Sequence, residues 1–172
     1  IRGLYINSES SDHQALFCTI VHTATIKNLT VVADINADGY SAAIVASNYG
    51  KISGCTAQGT IATFNGSGGI AYRNDNTIEY CTNEASVPCY NQCETGGIVG
   101  LNYNTINCCV NKGTITNTGA YGIDVGGIAG GNYAIGSISN SYNLAAVTGS
   151  GYVGGVVGNL DNGSVTNCYN TA

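Results

Sequence analysis

Three apolar anchors recur in fixed order down the chain, separated by stretches rich in Gly, Asn, Ser and Thr. The first follows a pair of small residues in every copy but the leading one: Leu16, Ile44, Ile70, Ile98, Ile128 and Val156. The second is Ile26, Ile52, Ile78, Ile106, Ile138 and Val165. The third lies nine residues beyond the second, at Ile35, Ile61, Val87, Ile115 and Val147. Successive second anchors are 26, 26, 28, 32 and 27 residues apart. Self-similarity at a period of about 20–50 residues denotes stacked repeats rather than one globular core. The extra residues then fall between anchors, where turns belong.

The step into the first anchor is Gly96-Gly97-Ile98-Val99-Gly100, Gly126-Gly127-Ile128-Ala129-Gly130 and Gly154-Gly155-Val156-Val157-Gly158. Weaker copies are Gly68-Gly69-Ile70-Ala71-Tyr72 and Ala42-Ala43-Ile44-Val45-Ala46. Short segments rich in Ile, Val and Thr, punctuated by Gly and Asn, read as the strands of a β-helix coil. A helical reading fails. Gly is 25 of 172 residues, and each costs a helix interior about 0.8–1 kcal/mol relative to Ala. No window shows the i, i+3, i+4, i+7 pattern of an amphipathic helix. The expected fold is all-β: a right-handed parallel β-helix of about six coils, three short strands per coil, with a rise of about 4.8 Å per coil.

Polar and small residues repeat in columns as well. Ala33, Gly59, Ala85, Gly113 and Ala145 stand between the second and third anchors and are expected inside a narrow core that larger side chains would overpack. Leu29, Cys55, Cys81, Cys109, Ser141 and Cys168 follow the second anchor by three residues and are read as buried. Asn48, Asn74, Asn102 and Asn132 follow the first anchor by four, and Asn83, Asn111, Asn143 and Asn170 follow the second by five. Asn tolerates tight turns and its amide bonds the backbone or another Asn, so both columns are expected to be structural ladders at corners.

Composition narrows the partners. The net charge is −5, charged residues are 9 %, and five Lys plus Arg are scattered, so the basic footprint of nucleic-acid binding is missing. No apolar run is long enough to cross a bilayer, and no signal peptide is visible at the start. The length suits one domain, a β-helix over 1–172, with 1–14 as the end of a preceding coil plus a loop and 15–172 as the repeats. The chain starts at Ile1 and shows no polar cap at either end, so it is expected to be a piece of a longer protein. The other reading has its open ends stacking into a filament.

The phrase Gly-Gly-Ile-Val-Gly followed by Asn104-Thr105-Ile106-Asn107-Cys108 and Asn111-Lys112-Gly113-Thr114-Ile115 resembles the bacterial GLUG repeat. Asn167-Cys168-Tyr169-Asn170 matches its Asn-Cys-Tyr-Asn core, and Thr25-Ile26-Lys27-Asn28-Leu29 matches a common leading coil. The resemblance covers roughly residues 15–172. Ser141, where Cys is expected, and the insert from Pro88 to Glu94 depart from it. Such repeats occur in large secreted or wall-attached bacterial proteins, including adhesin-like proteins and non-catalytic regions of IgA-cleaving metallopeptidases. The resemblance implies an extracellular or cell-surface address and a stalk or adhesive role. It brings no catalytic residue, and the His-Glu-x-x-His zinc motif is absent.

The eight cysteines divide by position. Parallel rungs hold Cβ atoms about 4.8 Å apart, beyond the usual disulfide span. Cys55, Cys81, Cys109 and Cys168 are therefore expected reduced, acting as small hydrophobes. Cys89 and Cys93 lie in the Pro-containing insert and can pair; Cys93 with Cys108 is the other candidate. No four-ligand set for zinc converges, so neither metal nor cofactor is expected.

Catalysis finds little footing. A glycosidase needs two carboxylates about 5–9.5 Å apart across a groove. The ten acids show no shared column beyond Asp34 and Asp38 near one turn, which suit turn chemistry at Asp38-Gly39. Glu84 and Lys112 share a column in adjacent coils and should form a surface pair worth about 0.2–1 kcal/mol. Cys18 with His13 and His22 invites a Cys–His reading, but the alternation from Leu16 to His22 suits a first coil. The Gly-rich phrases precede no helix and carry no Walker Lys, so they are not phosphate loops. Thr25, Thr77, Thr105, Ser137 and Ser164 form a hydroxyl column, which Lys51 interrupts, making ice binding a minor reading. Tyr49, Tyr103 and Tyr133 stack on one corner, broken by Asp75. That corner, together with Cys89 and Tyr90 of the insert, is the expected contact surface, since Tyr suits sugars and protein partners.

The sequence thus predicts a non-catalytic surface module acting as an adhesin or stiff spacer. Its expected partners are a host glycan or protein, or itself end to end. A filament subunit is one alternative and a carbohydrate-active β-helix enzyme the other.

Overall fold

The computed structural model describes every residue except Ser11, Gln92 and 120–122. The described residues hold strands and turns and no helix, and the strands pair in parallel from coil to coil. The chain is a parallel β-solenoid of about six coils. Leu4–Ser8 pairs with Thr30–Ala37, Leu4 opposite Ala33 and Ile6 opposite Ile35, as one coil's strand stacks on the next.

Two six-stranded ladders and a five-stranded one run along the rod beside a ten-stranded sheet. Tyr40–Ala42, Gly66–Gly68, Glu94–Gly96, Asp124–Gly126 and Tyr152–Gly154 precede the first anchor. Phe17–Ile20, Val45–Asn48, Ala71–Asn74, Val99–Asn102, Ala129–Tyr133 and Val157–Asp161 follow it. The anchor itself sits at the bend between these two ladders, so one anchor segment is creased into a pair of strands. The crease demands small residues: a Cβ at Gly96 would run into the Val99 carbonyl of its own coil. Phe17 pairs with Val45, which puts Leu16 in the first-anchor column.

The second anchors form their own ladder, from Thr25–Lys27 to Ser164–Thr166. Every coil then turns through the left-handed region at one position. Asn28, Gly54, Tyr80, Cys108, Asn140 and Asn167 have φ between 50° and 62°. Asn and Gly visit this region readily; for Tyr80 and Cys108 it costs about 1–2 kcal/mol each. No insertion falls between the second and third anchors, which flank this turn. The longest repeat instead gains residues at other corners, including the Tyr133–Gly136 turn closed by Gly136 N–H to the Tyr133 carbonyl at 2.8 Å.

The core is a stack of isoleucines. Ile44, Ile52, Ile61, Ile70, Ile78, Ile98, Ile106, Ile115, Ile128 and Ile138 are all fully buried, each contributing about 1.5–3 kcal/mol from removal of apolar surface from water. Ala33, Ala85, Gly113 and Ala145 line the core as expected. Gly59 does not: it is exposed, in the left-handed half of backbone space at φ 99°, and a Cβ there would meet the Ala33 carbonyl.

Two amide chains run inside the rod. Asn48 Nδ2 donates to Asn74 Oδ1 at 2.7 Å, Asn74 to Asn102 at 2.8 Å, and Asn102 to Asn132 at 2.6 Å. Asn83 donates to Asn111 at 2.8 Å, Asn111 to Asn143 at 2.7 Å, and Asn143 to Asn170 at 2.7 Å. All but Asn170 are fully buried. Each amide also bonds backbone of its own turn, as Asn111 does with the Gly113 carbonyl and N–H, which satisfies groups whose burial would otherwise be costly. Leu160 stands opposite Asn132 and ends the first chain.

Cys55, Cys81 and Cys109 are buried free thiols, and Ser141 fills the next rung by accepting the Cys109 N–H at 3.0 Å. The neighbouring Cys109 thiol and burial push the Cys81 thiol up to about 12. Cys168, on the last coil, is only half-buried rather than enclosed.

Candidate functional site

The ladder that precedes the glycines gathers chemistry on one side. Its first residues form the column Tyr40, Gly66, Glu94, Asp124 and Tyr152, with Glu94 and Asp124 on adjacent rungs because Thr95 pairs with Val125. Rungs repeat at about 4.8 Å. The backbone makes room for aromatic lids. A Cβ at Gly66 would meet the Tyr72 ring at 2.6 Å, and the Tyr133 ring likewise lies over Gly131. The Tyr72 hydroxyl reaches Glu94 Oε2 at 3.5 Å. The Tyr133 hydroxyl donates to Asp124 Oδ2, which also accepts from Asn159 Nδ2 at 3.3 Å. Tyr40 stacks on Tyr72 with ring centroids 4.5 Å apart, and His13 packs against both.

The electrostatics are those of a partly dry acidic site. Asp124 is fully buried, and its Oδ1 has no hydrogen-bond partner among the described residues. Burial, then the Asp124 charge, raises the Glu94 carboxyl above the ordinary Glu range. Burial and the acids also raise the phenols: Tyr72 by desolvation and then Glu94, Tyr133 by desolvation and then Asp124. The described ion pairs lie elsewhere, as Lys51 with Glu79, Arg73 with Asp75 and Lys112 with Glu84.

Reading the acids as sharing no column is therefore corrected: Glu94 and Asp124 share one. The signal lay in the sequence, since each stands two residues before a Gly-Gly pair. Counting from the second anchor hid it, because the inserts before Glu94 and before Asp124 differ in length. Asp34 and Asp38 are exposed, and no contact joins them.

The other sequence candidates are placed as follows. Tyr103 and Tyr133 meet at 5.7 Å between ring centroids. Asp75 does not simply interrupt this corner: it holds Arg73 through two bonds of 2.6 and 2.8 Å, and the guanidinium lies 4.5 Å over the Tyr103 ring. Tyr49 takes the His22 ring at 6.1 Å. Tyr90 is exposed and packs on Phe64 at 5.6 Å. Cys89 is fully buried and disulfide-bonded to Cys93, with Cα atoms 6.6 Å apart, so it presents no contact surface. Cys108 is a free thiol at the left-handed corner. Cys18 Sγ donates to the His13 carbonyl at 3.4 Å, while both histidine rings pack on tyrosines. Lys112 and Glu84 meet at 3.2 Å, and Gln58 extends that surface column to Glu84 at 2.8 Å.

The architecture defines the class: a parallel β-solenoid built from a repeated Gly-Gly coil. The GLUG motif matches residues 149–172, the last of the coils, and the preceding coils pair with that segment and one another rung for rung. That match supports a GLUG-repeat family for the chain. No curated protein and no solved structure matches the chain.

Proposed function

We propose that this chain is a non-catalytic module of an extracellular bacterial surface protein, a stiff spacer that also presents an adhesive corner. The observation that carries this reading is the pair of internal amide chains, which link successive coils in a repeat whose other contacts are also nearest-neighbour. Buried polar networks whose members are all satisfied rigidify the structure around them. The GLUG motif at 149–172 and the Cys89–Cys93 disulfide both suit a surface address, the latter because disulfides persist in oxidising compartments. The Tyr103–Tyr133 corner, braced by Arg73, offers aromatic surface to a glycan or a protein.

The test is binding of the immobilised chain to glycan arrays, matrix proteins and whole host cells. The expected result is saturable binding that Tyr103→Ala weakens at least tenfold while the far-ultraviolet circular dichroism is unchanged. Absence of saturable binding on all three surfaces defeats the adhesive role.

A further inference from the structure

The Glu94–Asp124 pair poses a charge problem that side chains do not solve. Two carboxylates on adjacent rungs repel, and one of them, Asp124, is fully buried. Among the described residues neither forms an ion pair. Lys51, Arg73 and Lys112 are each engaged with another acid, Lys27 lies on the first coil's Thr25–Lys27 strand, and Arg2 precedes the first strand, Leu4–Ser8. A buried charge left unpaired is costly and calls for a counter-charge.

The oxygens are also arranged for one. Tyr133 and Asn159 both grip Asp124 Oδ2, which orients the carboxylate and leaves Oδ1 buried without a partner among the described residues. Glu94, half-buried, carries a second carboxylate on the adjacent rung. The oxygens placed here are hard ones, the two carboxylates and the Tyr72 hydroxyl, while Asn159 turns its amide nitrogen to Asp124. The His13 ring packs on Tyr40 and Tyr72.

We propose that Glu94 and Asp124 form a binding site for one hard divalent cation of the calcium class, with Asp124 Oδ1 and the Glu94 carboxylate as ligands and water completing the shell. Calcium accepts irregular shells of about 6–8 oxygens, whereas magnesium demands near-octahedral order. A site with two protein carboxylates belongs at the weak end of calcium affinities, about 10⁻⁴–10⁻³ M. The bound ion ties one coil to the next at the place where two inserts lengthen the repeat.

The probe is Tb³⁺, which replaces Ca²⁺ and is sensitised by nearby tyrosine; the chain has no Trp. Excitation of tyrosine in the intact protein should give saturable Tb³⁺ emission that Ca²⁺ chases and Mg²⁺ does not. Ca²⁺ should also raise Tm by several degrees, with a midpoint in the range above. Glu94→Gln, which keeps the side chain's shape, should cut Ca²⁺ affinity at least tenfold and abolish the Tm shift. Asp124→Asn should do the same, and Glu94→Gln carries the test if Asp124→Asn fails to fold. The proposal is overturned if wild-type protein shows neither Ca²⁺-chased emission nor a Ca²⁺-dependent Tm. It is equally overturned if both persist in folded Glu94→Gln. Neutralisation by a proton alone would show as the first of these.

Discussion

The ten-stranded sheet begins in one style and ends in another. Its second and third strands, Thr30–Ala37 and Thr56–Thr63, run unbroken for eight residues. From the next coil on, the same stretch is split in two: Thr82–Asn83 and Val87–Cys89, then Val110–Asn111 and Ile115–Asn117, then Tyr142–Asn143 and Val147–Thr148. Register locates the cause. Val31 and Ala57 face each other in the unbroken strands, and Asn83 stands opposite Ala57 at the first split. Asn83 Oδ1 accepts the Ala85 N–H at 3.1 Å, and Asn111 Oδ1 accepts the Gly113 N–H at 3.2 Å. An amide that captures the backbone two residues on bends the strand there. An apolar side chain at the same rung leaves the strand straight and packs into the core. One column therefore chooses between two ways of holding coils together: apolar contact in the first two, an amide chain in the rest.

Breaking the amide chain at its middle should have the largest effect. Asn111→Ala removes a buried group bonded to Asn83, Asn143 and its own turn, so we expect a loss of about 3 kcal/mol from the unpaired partners left behind. Val31→Ala, in the straight region, should cost about 2 kcal/mol through lost burial. Urea denaturation measures both, and a smaller loss for Asn111→Ala would mean that the amide chain only follows the fold.

The acidic column sharpens the contrast through pH. Glu94 has its folded pKa raised above the unfolded value, so the native state binds its proton more tightly. Its contribution is present below the ordinary Glu range and is lost as pH rises through the raised value. In chelator-treated buffer, Glu94→Gln should therefore melt higher than wild type at neutral pH, with the gap closing toward acid. A constant gap would locate the effect elsewhere.

The corners that lead into the two styles also differ. Asn28 and Gly54 open the straight strands, whereas Tyr80 and Cys108 open the first two split ones in the same left-handed conformation. Cys108→Asn should stabilise by about 0.5–1 kcal/mol, part of the strain that a non-glycine side chain bears there; an unchanged midpoint would mean that local packing already offsets the strain. The smallest change is expected from Ala57→Asn. It adds a rung above Asn83, so stability should move by less than about 1 kcal/mol while the amide protons of Thr56–Thr63 lose protection near Gly59. Unaltered hydrogen exchange would show that the strand is held straight by its neighbours instead.

Much of this was legible in the chain. The anchor columns, both Asn columns and the Cys rungs follow from constant spacing, because a solenoid repeats the same environment once per coil. The Cys rung at Ser141 and the Glu84–Lys112 pair were readable for the same reason. What escaped was tied to irregular spacing or to contacts across a coil. Glu94 and Asp124 are separated by inserts of unequal length. Arg73 folding onto Tyr103, and Tyr133 folding back to Asp124, depend on side-chain reach that no column count reveals. The shared left-handed corner was hidden by its variety, since Tyr and Cys there give no turn signal.

The sequence by itself determined the repeat, the parallel stacking and the identity of the buried columns, since period and residue type alone decide which side chains meet their own copies. Only the tertiary structure decided which strands split, which acids became neighbours and which cysteines joined. Those outcomes depend on how insertions are absorbed at the corners and on where each bent backbone leaves room for a ring or a carboxylate.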